Sequence, residues 1–85
     1  MNSETIQKLL QYQKNEITEH FLYAALAKRA KGKNSLILEK ISEDEMLHYK
    51  FFRKITGRDV KPARLKIMIY RIISRIFGYT FTIKM

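Results

Sequence analysis

Ile41-Ser42-Glu43-Asp44-Glu45-Met46-Leu47-His48-Tyr49 is the stretch whose reading decides the fold. It holds a Glu-x-x-His pair, Glu45 and His48, one helical turn apart. The pair falls on the stripe Leu38, Ile41, Glu45, His48, Phe52 and Ile55, which alternates steps of three and four and therefore marks one face of a helix. Polar groups on a core stripe are costly unless something compensates them. A bound metal ion would do so.

The surrounding sequence extends the pattern into a hairpin. From Glu4 to Lys31 no Gly or Pro interrupts. Ile6, Leu9, Gln13, Glu16, His20, Tyr23, Ala27 and Ala30 recur at helical spacing, and Leu10, Ile17, Phe21 and Ala24 form a second face. Gly32 suits the left-handed position after Lys28, Arg29 and Lys31. Asn34 or Ser35 suits the cap of a second helix that ends at Gly57. Two long helices joined by so short a turn must lie antiparallel. Glu16 lies about sixteen residues before the turn and Glu45 about thirteen after it, so at about 1.5 Å per residue they reach similar heights. Glu16, Glu45 and His48 are expected to converge on one site.

The second section of the chain differs in charge. Residues 1–57 hold ten Lys/Arg against seven acids, whereas residues 58–85 hold seven against one, Asp59. Residues 58–61 read as a linker, and Pro62 suits the first turn of a third helix over residues 62–77. Its apolar stripe is Leu65, Met68, Ile69, Ile72, Ile73, Ile76 and Phe77, with Lys66, Arg71 and Arg75 opposite. This helix either caps the apolar face of the hairpin or meets an anionic membrane surface. Nucleic acid is not the expected partner, since no recognition motif accompanies the charge. The tail, residues 79–85, suits either a strand or the start of another helix.

Composition narrows the chemistry. With no cysteine, disulfides, thiolate zinc sites and iron–sulfur clusters are excluded. Imidazole with carboxylates suits iron or manganese rather than magnesium. The polar start Met1-Asn2-Ser3-Glu4 lacks a basic-then-apolar leader, and the stretch Leu65–Phe77 is too short and charged to span a bilayer. A cytoplasmic protein is the expectation, with association to a membrane surface through residues 62–77 as the alternative to capping of the hairpin.

Glu16-x6-Tyr23 followed by Glu45-x-x-His48 resembles the first half of a ferritin-like domain of the rubrerythrin type, and the run Ile41–Tyr49 is similar to that family's signature. The segment from Thr56 through Phe81 resembles the connection in rubrerythrin-like domains related to those fused to vacuolar-type iron transporters. The resemblance implies an all-α fold. Residues 1–57 form an antiparallel hairpin, half of a ferritin-like four-helix bundle, and residues 58–85 hold the linker, the basic amphipathic helix and the tail. It also implies Glu16 as a metal ligand, Glu45 as a bridge between two metals, His48 as a ligand to one, and Tyr23 as the residue beside the centre. The implied cofactor is iron, as Fe2+/Fe3+, or manganese, and the implied chemistry is ferroxidase-type oxidation, iron storage or peroxide removal.

Two features depart from the family. Its second pair of helices, with a second Glu and a second Glu-x-x-His, has no counterpart before Met85, and no cysteine-rich rubredoxin module is present. The expectation is a homodimer in which a second copy completes the centre; the alternatives are a fragment of a longer rubrerythrin-like protein and a non-enzymatic helical module that docks to a membrane or partner. The remaining polar residues read more plainly. His20 is either a ligand or a hydrogen-bonded interior histidine, Glu19 an exposed helix acid, and Glu43 and Asp44 solvated. Glu45 and His48 also admit the reading of an ordinary surface pair.

Overall fold

The first two helices have ends that the local chemistry explains. The structure is a computed structural model and describes residues 2–77; the tail over residues 79–85 lies outside the described residues. α1 spans Ser3–Arg29. Asn2 caps it by accepting from the Thr5 N–H at 2.8 Å, and Lys28 and Arg29 stand in its last turn, where cations complement the helix dipole. α2 spans Lys33–Thr56. Gly57 closes it in the left-handed conformation, its N–H donating to the Arg53 carbonyl at 2.8 Å. The two helices pack as an antiparallel hairpin, and α3, Arg64–Phe77, packs against α1.

The turn is built differently from its sequence reading. α1 stops at Arg29 and Ala30 is extended, so Gly32 does not end α1. It starts α2 as its N-cap, at φ 61° and ψ −135°, a conformation that only glycine adopts freely. Ser35 sits inside α2 and ties the hairpin together by donating to the Ala27 carbonyl at 2.8 Å.

The interface between α1 and α2 changes character along its length. Next to the turn, Leu26, Ala30 and Leu38 are buried together and Leu22, Tyr23 and Ala27 pack on them. Farther along, polar pairs take over. The His20 Nδ1–H donates to the Ser42 carbonyl at 2.8 Å while the Ser42 hydroxyl donates to the His20 carbonyl at 2.8 Å. His20 is thus a hydrogen-bonded interior histidine. At the open end Gln13, fully buried, donates to the Arg58 carbonyl and accepts from the Thr56 hydroxyl at 2.7 Å. Tyr49 accepts from the Val60 N–H at 3.0 Å, and Thr18 accepts from the Ala63 N–H at 2.9 Å. These bonds strap the segment 57–63 over the hairpin and fix where α3 begins.

The inward face of α2 is rotated from the predicted stripe. Leu38, Ser42 and Tyr49 are buried, with Glu45 half-buried between them, whereas His48 and Ile55 stand at the exposed edge. α3 begins at Arg64, two residues after Pro62, and turns its apolar stripe away from the hairpin. Ser74 is buried and Ile67, Tyr70 and Ile73 are half-buried, while Leu65, Met68, Ile69, Ile72 and Ile76 are exposed. α3 does pack on the hairpin, but through Ile67, Tyr70 and Ser74 rather than through most of the predicted stripe. No helix among the described residues is long and apolar enough to cross a membrane.

Candidate metal centre

The middle of the hairpin brings together the residues singled out by sequence. Glu16 comes from α1, and Glu45 and His48 come from α2 one turn apart. His48 Nδ1 lies 3.2 Å from Glu16 Oε2 and 3.1 Å from Glu45 Oε1, and one donor atom from each of the three residues falls within 4.8 Å of the others. The antiparallel packing produces this meeting, because the matched heights of Glu16 and Glu45 put a carboxylate on each side of the imidazole.

The electrostatics follow from that placement. In the ion-free protein Nδ1–H donates to both carboxylates. The bond to Glu16 is the main cause that raises the His48 pKa, assisted by the charges of Glu16 and Glu45; partial desolvation opposes it. The carboxylates are the better protected members, with side chains 21% and 14% exposed against 58% for the imidazole. The site lies at the surface of the hairpin, with the two carboxylates set deeper than the imidazole.

Glu19 is the residue that the sequence reading missed. Read as an exposed acid, it is half-buried one turn beyond Glu16 and shares a hydrogen bond with Glu45. Two carboxylates that close disfavour being ionised together. That hydrogen bond, with burial and the Glu45 charge behind it, pushes the Glu19 carboxyl up to about 7, while Lys66 of α3 and His48 pull it the other way. Three residues before Glu19, Glu16 already marked this face of α1, so the i, i+3 spacing was the available signal. Tyr23 completes the surroundings: burial first, then the Glu19 and Glu45 carboxylates, raise its hydroxyl pKa. Asp44, read as solvated, pairs with Lys40 at 3.2 Å on the outer side of α2.

The donor set fits a borderline divalent transition metal. It combines one imidazole nitrogen with carboxylate oxygens, and a metal ion would take the place of the proton that Nδ1 shares. Three protein donors at the surface leave further coordination positions for water, substrate or a second protein. Comparison of the chain with protein-family models, with curated proteins and with solved structures gives no match. The functional reading therefore rests on the geometry of the site and on the motif content of the sequence.

Proposed function

We propose that this protein binds iron or manganese through Glu16, Glu45 and His48, and that a second copy of the hairpin completes the centre. The observation that carries the reading is the position of His48 Nδ1, held at 3.1 and 3.2 Å from carboxylate oxygens of two different helices. The resemblance of Glu16, Tyr23 and the Glu45-x-x-His48 motif to rubrerythrin-type ferritin-like domains supports it. When bound, a redox-active pair of such metals supplies electrons to oxygen or peroxide. This chain's own residues would hold the metal, with the Glu19 carboxyl and the Tyr23 hydroxyl beside Glu45. Iron oxidation, iron storage and peroxide removal share that requirement.

Two observations support pairing. A di-iron bundle uses one Glu from each of two helices and a Glu-x-x-His from each of the other two, and this hairpin supplies half of that set. The outer face of α2 beside His48 exposes Leu47 and Phe51 next to the Lys40–Asp44 pair, and Phe51, Phe52 and Tyr12 form a chain of ring contacts at 5.6 and 6.0 Å. An exposed patch of this kind marks an interface. A two-fold axis past the His48 edge of α2 would bring two such sites together.

The test is titration of chelator-treated protein with Mn2+, Fe2+ under anoxic conditions, and Mg2+, with the solution mass followed in parallel. Mn2+ and Fe2+ should bind at least tenfold more tightly than Mg2+ and should strengthen the dimer. Glu45→Ala should remove most of the affinity. Unchanged affinity in that variant would sink the site, and a strict monomer that still binds metal would sink the pairing alone.

A further inference from the structure

We propose that α3 docks to the surface of an anionic lipid bilayer, lying in the interface with its outward apolar stripe among the acyl chains and its basic flanks on lipid phosphates. The stripe is laid out for this. Leu65, Met68, Ile69, Ile72 and Ile76 share one helix face, and each is between 47% and 66% exposed. The opposite face, with Ser74 buried and Ile67 half-buried, is the one taken up by α1. The apolar row therefore points away from the hairpin from Leu65 to Ile76, about 18 Å.

Charge identifies the occupant. α3 carries Arg64, Lys66, Arg71 and Arg75 and no acid. The nearest acid in sequence, Asp59, is paired with Arg53 at 3.3 Å. Long basic side chains flanking an apolar row carry their charge sideways to the headgroups while their stems stay in contact with apolar atoms. A second copy pairing through the same stripe would set four cations against four with no acid on either helix to offset them, which disfavours that contact. A membrane-crossing role is unavailable to a helix this short. Each basic group near an anionic surface strengthens association roughly fivefold, so Arg64 and Arg75 together account for a factor of about twenty-five.

Flotation of the full chain with vesicles tests it, using equal parts phosphatidylglycerol and phosphatidylcholine against phosphatidylcholine alone. Wild-type protein should float with the anionic vesicles only and should lose at least about tenfold in partition when salt is raised from about 0.1 to about 0.5 M. Ile69→Glu with Ile72→Glu, and separately Arg64→Ala with Arg75→Ala, should each lose tenfold or more with unchanged helical circular dichroism. Leu36→Glu, an exposed apolar position on α2, should float as wild type. Met68→Trp, in a chain with no native tryptophan, should shift its emission to the blue on anionic vesicles. Equal partition onto both vesicle types, or stripe variants that float as wild type, would overturn the proposal. So would a wild-type chain that does not float but forms a dimer dissolved by the Ile69 and Ile72 changes; the stripe would then belong to a second copy.

Discussion

The two ends of one interface behave as different materials. Near the turn, α1 and α2 meet through Leu26, Ala30 and Leu38, a dry apolar cluster. From His20 and Ser42 outward they meet through hydrogen bonds and carboxylates, ending in buried Gln13. The apolar end gains its stability from area removed from water, at roughly 25 cal/mol per Å2. The polar end gains little net energy per bond, yet it suffers whenever a partner is removed and a buried group is left bare. The lesson is a division of labour in which the turn end holds the hairpin and the polar end fixes register, leaving Glu16, Glu45 and His48 free to serve a ligand.

The largest break should come at the dry end. Leu26 is 1% exposed, and Leu26→Ala should cost about 3 kcal/mol, seen as a melting-temperature drop of roughly 10–20 °C. Gln13→Ala should cost about 2 kcal/mol, because it strips the Thr56 hydroxyl and the Arg58 carbonyl of their buried partner. Gly32→Ala should cost about 1–3 kcal/mol, since alanine is strained at φ 61° and ψ −135°. Nothing lies near enough to Gly32 to clash with an added methyl, so that loss reports the backbone alone. Comparable losses on chemical or thermal melting for Leu26→Ala and for a solvent-facing control such as Leu36→Ala would erase the contrast.

A subtler effect belongs to the polar end of the metal-free protein. The fold holds a proton at Glu19 up to about pH 7, whereas the unfolded chain releases it in the ordinary carboxylate range. The folded state thus binds more protons between those limits, and stability falls as pH rises through about 7. His48 acts with the same sign, because its raised pKa favours the charged form and that stabilisation is lost as pH rises beyond the ordinary histidine range. Chelator-treated protein should melt lower at about pH 8 than at about pH 5.5. Glu19→Gln, an uncharged mimic of the protonated carboxyl, should flatten the dependence; an unchanged slope would remove Glu19 from the account.

Much of the hairpin was legible because its signals are local. Uninterrupted helical spacing, the short turn and Gly57 pointed to two antiparallel helices, and similar distances from the turn pointed to the meeting of Glu16, Glu45 and His48. Rotation about each helix axis was not legible. Ser42 and Tyr49 face inward while His48 and Ile55 stand at the edge, because the chosen rotation satisfies the His20–Ser42 and Tyr49–Val60 bonds, which join residues far apart or across a loop. The orientation of α3 was hidden for the same reason, since it depends on Ala63 donating to Thr18 forty-five residues away. Glu19 was missed because a carboxylate at i+3 from Glu16 looks like any exposed acid until Glu45 stands beside it.

X-ray absorption of the Mn2+-loaded protein addresses the metal centre most directly. The account predicts an oxygen-rich first shell with one imidazole per metal, and loss of the imidazole scattering in His48→Ala while His20→Ala, if it folds, retains it. A first shell with no imidazole, or one that survives in His48→Ala, would contradict it.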